Sequence, residues 1–168
     1  MAIEFGNGTS LTNVLCDMWR IHSNFSGNAN PIASNWERAD NTGTGQNYSN
    51  VLTESSGIFS FTTTGWYTLS FSHYFYANNT HADWNEMFMQ LSTNGGSGWD
   101  TLAHTQGWMQ GSGYHYQTTT RTINFVVPDT SNYKMKFYVI YDGGQSIIST
   151  GSSTRQHTGF CISKIADY

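Results

Sequence analysis

Apolar and polar side chains alternate along residues 57 to 76, and this is the strongest pattern in the chain. Phe59 and Phe61 alternate with serine and threonine, and after Gly65 one face of the pattern holds Tyr67, Leu69, Phe71, His73 and Phe75. A period of two residues is that of a β-strand, because successive side chains of a strand point to opposite faces. The pattern therefore predicts two strands that meet at Gly65.

The other face of the second predicted strand is also rich in aromatic residues. It carries Trp66, Tyr74 and Tyr76, together with Ser70 and Ser72. A strand with large side chains on both faces is typically covered on both. We expect the partner sheet of a sandwich on one face and another subunit on the other.

Further segments with a period of two predict additional strands, at residues 18–25, 84–91, 99–104, 118–127, 133–141 and 158–165. Asn94 to Gly96 favours the positive backbone angles of a tight hairpin, and Pro128 ends a strand because proline has no N–H for the ladder. Residues 41–50 and 106–116 are predicted to be loops. With no helical window, about eight to ten antiparallel strands predict an all-β, two-sheet sandwich.

The first fifteen residues show no sustained period and are predicted to form an N-terminal arm. A single domain then occupies residues 16–168, a length that suits one two-sheet core. A terminal segment without a core pattern is ordered only when something holds it. We expect a neighbouring subunit or a larger particle to do so.

Composition narrows the range of partners. Charged residues make up 11% of the chain and aromatic residues 15%, with a formal charge of −4 and a pI near 5.8. There is no basic stripe to neutralise a phosphate backbone, so nucleic-acid binding is not expected. No window is apolar for long enough to span a bilayer, and no secretion signal is visible, so membrane insertion and export are not expected either.

Candidate chemistry is sparse. The six histidines are dispersed, without a His-x-His pair on a strand, so we predict neither a metal site nor a cofactor. Ser112 stands between glycines in a polar stretch that reads as a turn rather than as a nucleophile elbow. No set of acid, base and nucleophile stands out, so the sequence does not predict an enzyme. Cys16 and Cys161 lie near opposite ends, with neither a metal-type spacing nor the density of a disulfide scaffold.

One aromatic segment stands out as a candidate binding loop. It contains Trp108, Tyr114, His115 and Tyr116, flanked by glycines. Tryptophan and tyrosine dominate many binding surfaces, so these residues fit a stacking platform for a sugar or an anchor into a partner. The alternative is that they cap the open end of the sandwich.

Several segments together resemble the jelly-roll family that includes the globular head of complement component one q and the tumour necrosis factors. The run from Tyr48 to Phe71 contains Gly-x-Phe-x-Phe-x-x-x-Gly-x-Tyr, and Leu91 to Gly95, Lys134 to Tyr141 and Thr158 to Ile162 follow in the family's order. The resemblance implies a ten-strand jelly roll that associates as a homotrimer. It further implies that the first and last strands are neighbours, which leaves a bridge between the two cysteines open.

The resemblance also implies that residues of one sheet meet on the threefold axis, and His73, Tyr74, Phe75 and Phe160 are the expected interface residues. A collagen-like stalk and a membrane anchor are absent from the sequence. A trimer without these, with an N-terminal arm, fits a bacteriophage virion protein. Repetition of such trimers over a particle would turn weak contacts into firm attachment.

We therefore expect a non-enzymatic capsid decoration or head-surface protein, made in the host cytoplasm and located on the virion. Ile3, Phe5 and Leu11 of the arm would tether it to the major capsid protein or another virion protein. One alternative is a fibre tip that binds a receptor or a host-surface glycan. Another is a secreted carbohydrate-binding or signalling module of the same fold.

Overall fold

The computed structural model describes residues 3–4, 10–11, 15–39, 50–78, 82–109, 114–141 and 147–168. Within these ranges the chain contains strands and no helix, which confirms the all-β prediction. In chain order the strands are β1 (Ile3–Glu4), β2 (Ser10–Leu11), β3 (Cys16–Ile21), β4 (Phe25–Ser26), β5 (Trp36–Arg38), β6 (Leu52–Ser55), β7 (Ile58–Phe61), β8 (Gly65–Asn78), β9 (Ala82–Ser92), β10 (Asp100–Met109), β11 (Tyr114–Val127), β12 (Lys134–Tyr141), β13 (Ile147–Ser149) and β14 (Gly159–Ala166).

Two antiparallel sheets form the sandwich. The five-stranded sheet has the order β10-β9-β12-β7-β6. The seven-stranded sheet has the order β4-β13-β8-β14-β3-β5, with β11 paired to β8 along its whole length. Because β14 lies between β8 and β3, the first long strand and the last strand of the described chain are direct neighbours.

The core lies between the sheets and is built from the inward positions of the alternating strands. The inward residues of β8 run from Tyr67 to Phe75 and all are buried, as the alternation predicted. Rings from both sheets meet at the centre, where the Phe160 centroid is 5.0 Å from that of Phe59 and 4.9 Å from that of Phe137. Edge-to-face and offset contacts of this kind add to the gain from burying the ring surface.

The two strands predicted to meet at Gly65 belong to different sheets. β7 pairs with β6 and β12, whereas β8 pairs with β11, β13 and β14. The chain therefore crosses from one sheet to the other here. Gly65 has a φ of +153°, and an added Cβ would lie 2.7 Å from the carbonyl oxygen of Ala166.

The prediction of a loop over residues 106–116 is wrong. β10 continues to Met109 and β11 already begins at Tyr114, so only residues 110–113 separate the two strands, and these lie outside the described residues. The alternation was hidden because the inward positions of this stretch include Gly107 and half-buried His115 in place of large apolar residues. The predicted loop at residues 41–50 lies outside the described residues except for Asn50.

The predicted N-terminal arm is described only in part. β1 and β2 form a small antiparallel pair in which Ile3 is opposite Leu11. Phe5, the third proposed tether residue, lies outside the described residues. The tether role of these three residues stays a prediction.

Candidate functional site

A cluster of tyrosines stands on the outer face of the seven-stranded sheet. Tyr74 and Tyr76 point outward from β8, and Tyr116 of β11 is directly opposite Tyr76. The Tyr116 ring centroid lies 5.2 Å from that of Tyr76 and 6.0 Å from that of Tyr74. The His157 ring packs edge-on against Tyr74 at 5.0 Å. We call these four residues the tyrosine face.

The tyrosine face is partly open to solvent in the single chain, where Tyr74, Tyr76 and His157 are half-buried. Tyr116 is 58% exposed, although it is large and aromatic. Below it along β8 and β11 the outward side chains become small and polar, and the Thr122 hydroxyl donates to Ser70 Oγ at 3.1 Å. Beside them lies a shallow cavity of about 160 Å³, lined by Ser70, Phe71, Ser72, Gln156, Gly159, Phe160 and Cys161. The outer surface thus combines a raised aromatic end with a lower polar region.

His157 is fixed at the border of this face by its backbone and its ring. The hydroxyl of Ser72 donates to the His157 carbonyl oxygen at 3.0 Å. Burial, and then the charge of Arg155, lower the pKa of His157. The ring is therefore neutral near pH 7, where it adds no charge to the tyrosine face.

The structure corrects three of the four predicted trimer-interface residues. His73, Phe75 and Phe160 point into the core of the single chain and have almost no accessible surface. The reason is that both faces of β8 are aromatic, so the sequence pattern did not distinguish the core face from the outer face. Tyr74 alone of the four lies on the outer face, and its interface role stays a prediction.

His73 belongs to an enclosed hydrogen-bonded group. Its Nε2 lies 2.8 Å from Ser149 Oγ, and the same oxygen contacts the Tyr141 hydroxyl. Burial lowers the pKa of His73 to about 3 and raises that of Tyr141. A serine beside a histidine is the arrangement of a nucleophile and its base, but these three side chains are sealed from solvent, so this group contacts no substrate as it stands.

The residues predicted to share one aromatic binding loop are divided between the two sides of the molecule. Trp108 points outward from β10 on the five-stranded sheet and is 62% exposed. Tyr116 points outward from the seven-stranded sheet, whereas half-buried His115 is on the inward side of β11. Tyr114 is the first residue of β11. A single stacking platform made of Trp108 and Tyr116 is therefore wrong, because a sandwich separates them.

A second aromatic surface, missed from the sequence, crosses the five-stranded sheet. Tyr138 of β12, Phe88 of β9 and His104 of β10 occupy one row of paired positions. Phe88 stacks on Tyr138 with a centroid separation of 4.4 Å and on His104 at 5.4 Å. Glu86 Oε1 lies 3.9 Å from His104 Nε2. We call Tyr138, Phe88 and His104 the aromatic row. They are far apart in sequence and are brought together by the register of three strands.

Within the described ranges, no group of three or more histidine, cysteine, aspartate or glutamate side chains is arranged to hold a metal ion. No helix there is long and apolar enough to cross a membrane. Both cysteines are free thiols.

The order of strands and the two facing sheets define a tumour necrosis factor-like jelly roll, as the resemblance implied. Solved structures with this fold include Eiger TNF from S. frugiperda, which has 15% sequence identity and a TM-score of 0.65 over 92% of this chain and 94% of that one. Murine APRIL at pH 8.5 has 13% identity and a TM-score of 0.61 over 91% and 100% of the two chains. At these identities the likeness shows the fold alone. No protein-family model and no curated protein sequence matches the chain.

Proposed function

We propose that this protein is a non-enzymatic homotrimer that assembles through the tyrosine face and decorates the surface of a virion. The observation that carries the assembly is the cluster of exposed Tyr116 with half-buried Tyr74 and Tyr76 on one outer face of the sandwich. Exposed aromatic clusters mark interaction surfaces, because burying tyrosine gains much area at little cost in side-chain entropy.

The form of the surface supports a cyclic assembly. The raised tyrosines and the shallow cavity are different features of the same face that adjoin along β8, where Ser72 of the cavity is the next outward residue after Tyr74. When unlike patches of identical subunits meet, the assembly is heterologous, and such contacts form a ring when the rotation between neighbouring subunits closes. The fold is shared with tumour necrosis factor-family structures, and a ring of three is the assembly that our sequence resemblance implies.

The virion role rests on the combination of a compact trimer and an N-terminal arm. Three arms on one symmetry axis would contact a shell at the same time, and each later contact would form at high effective concentration. The partner in this role is the major capsid protein or another virion protein. Ile3 and Leu11, paired in the small β1–β2 hairpin, are the apolar residues that the arm would offer.

The test of assembly is the solution mass of the full-length chain, measured by light scattering over a wide range of dilution. We expect a trimer for the unaltered chain and a monomer for Tyr116→Asp, because the new carboxylate would be buried without a partner. Trp108→Asp is the matched control, since it adds the same charge at an equally exposed position on the opposite side. It should remain trimeric. A monomer at every dilution of the unaltered chain overturns the proposed assembly.

The virion role needs a separate test. Particles from the organism whose genome encodes the chain are banded in a density gradient and probed with an antibody raised against the purified protein. We expect the chain in the particle band and its release after mild denaturation of the shell contacts. A trimer that is absent from every particle fraction would retain the assembly and refute the virion role.

The aromatic row and Trp108 favour one alternative, a receptor-binding or glycan-binding function. They lie on the five-stranded sheet, away from the tyrosine face, so a trimer would leave them open to a ligand. This function fits a fibre tip or a secreted module. Binding of the unaltered chain to a glycan array, with loss of binding in Trp108→Ala, would support it.

A further inference from the structure

Three residues with sulfur-containing side chains lie in neighbouring positions on the outer face of the seven-stranded sheet. On β3, Asp17 and Trp19 are buried, so the alternate residues Cys16 and Met18 point outward. On β14, Phe160 and Ile162 are buried, so Cys161 points outward as well. We call Cys16, Met18 and Cys161 the sulfur patch. All three side chains are half-buried.

The register between β3 and β14 fixes how these residues are related. Cys161 is directly opposite Met18, and Ser163 is directly opposite Cys16. The two cysteines are therefore diagonal neighbours on adjacent antiparallel strands.

A diagonal relationship is poorly suited to a disulfide. Diagonal neighbours have Cα atoms about 7–8 Å apart, whereas a disulfide needs about 4.4–6.8 Å between Cα atoms and about 3.8 Å between Cβ atoms. A bound metal ion places two metal–sulfur bonds of about 2.3 Å between the sulfurs in place of one S–S bond of about 2 Å. The longer span matches the diagonal positions better.

We propose that Cys16, Met18 and Cys161 form a binding site for one soft monovalent metal ion, Cu(I). Thiolate and thioether sulfur are the ligands that select Cu(I) over harder ions, and all three ligands here are sulfur. On binding, each thiol loses its proton to solvent and the sulfur donates to the metal. No electron is transferred, and the ion enters and leaves as Cu(I).

The surroundings allow an ion to reach the site without unfolding. Cys161 also lines the shallow cavity of about 160 Å³, with Ser72 and Gly159 on its other side. Cys161 is opposite Ser70, which is four residues along β8 from Tyr74 of the tyrosine face, roughly 13 Å at the rise of a strand. The site therefore borders the cavity side of the surface proposed for assembly, but all its ligands come from one chain.

The test is an anaerobic titration of the reduced full-length protein with Cu(I) held by a chromogenic chelator, with stoichiometry read by native mass spectrometry. We expect one Cu(I) per chain. Cys16→Ser and Cys161→Ser should each lower the affinity by more than the roughly 100-fold that loss of an outer-sphere partner costs, and Met18→Leu by about 10-fold. Met109→Leu, a buried methionine on β10, is the matched control and should leave the affinity unchanged.

Two results would overturn the site: no Cu(I) retained against the chelator by the unaltered chain, or equal affinities for Met18→Leu and Met109→Leu. The thermal midpoint of each apo variant, measured in parallel, separates loss of a ligand from loss of the fold. The Tyr116→Asp variant keeps this test independent of assembly. It should bind one ion as the unaltered chain does, and a site that disappears in this variant would show that ligands come from more than one copy, contrary to the proposal.

Discussion

His73 shows how strongly one buried side chain can link stability to pH. Its ring is sealed in the core, its Nε2 contacts Ser149, and burial lowers its pKa from 6.5 to about 3. In the unfolded chain the same ring binds a proton near pH 6.5. Acidification between these two values therefore favours the unfolded state.

We predict that, because of His73 alone, the free energy of unfolding falls by up to about 1.4 kcal/mol for each pH unit between pH 6.5 and about pH 3. The measurement compares chemical denaturation of the unaltered chain and His73→Gln from pH 7.5 to pH 4. The variant should have the shallower slope, since glutamine does not titrate. Equal slopes for the two proteins would mean that His73 is reachable by protons in the folded state.

Trp108 is expected to affect binding and not stability. Its indole is 62% exposed on the five-stranded sheet, and exposed substitutions usually change stability by no more than about 0.5 kcal/mol. We expect Trp108→Ala to keep the thermal midpoint while it weakens binding to a ligand or a particle. Phe59→Ala provides the contrast, because removing a buried phenylalanine costs about 3–5 kcal/mol. An equal loss of stability and binding in Trp108→Ala would indicate that the indole has only a structural role.

At the residue scale, alternation was enough to predict which side chains share a face but not where that face points. Tyr67, Leu69 and Phe71 were correctly grouped because a strand alternates regardless of its surroundings. Which of two aromatic faces meets the other sheet depends on partners far away in sequence, so His73 was placed at an interface. The same limit hid the sulfur patch, whose members come from the first and last long strands.

At the element scale, an ion pair joins β3 to β5 and to the start of β6. Asp17 is fully buried, Arg38 Nη2 donates to its Oδ2 at 3.0 Å, and the backbone N–H of Leu52 donates to the same oxygen at 3.2 Å. Arg38 Nε lies 2.8 Å from the other oxygen, a close electrostatic contact without hydrogen-bond alignment. Arg38 also covers the Trp19 ring at 4.8 Å.

We predict that Arg38→Met destabilises the protein by about 3 kcal/mol, because the Asp17 carboxylate is left buried without its counter-charge. Asp17→Asn should cost less, since a neutral amide tolerates burial better than an unpaired carboxylate. Urea denaturation of the two single variants and the double variant gives the coupling energy directly. Additive single effects would show that the pair does not act as a unit.

The strands that sequence analysis missed or cut short are very short ones, or ones whose inward positions do not carry large apolar residues. β13 has only three residues, and it is held between β4 and β8 through contacts that sequence alternation does not report. β10 and β11 were cut short because their inward positions include Gly107 and Gln117, which do not read as core. In contrast, Gly95 and Gly96 have φ values of +75° and +99°, as the hairpin prediction required.

For the whole molecule, assembly and stability should be coupled. A trimer that dissociates before it unfolds is stabilised by mass action, so its thermal midpoint rises with protein concentration. We predict this rise for the unaltered chain and none for Tyr116→Asp, measured by scanning calorimetry over a hundredfold range of concentration. A concentration-independent midpoint in a protein that remains trimeric would mean that subunits unfold without separating.

Deletion of residues 1–15 tests the arm as a unit. We expect the shortened chain to remain trimeric and to lose attachment to particles, because the tyrosine face is intact while the tether is gone. Sedimentation with particles, together with light scattering of the free protein, reads both properties. Retained attachment would contradict the tether, and loss of the trimer would place the arm in the subunit interface.

The position of β14 between β3 and β8 has a consequence for protein synthesis. Until Gly159–Ala166 has left the ribosome, β3 has no neighbour to join it to β8, and the seven-stranded sheet stays in two parts. Until then, the inner aromatic residues of this sheet would be exposed to quality-control factors. A nascent chain released before this strand emerges is expected to be degraded or to aggregate, because β14 is the strand that joins β3 to β8.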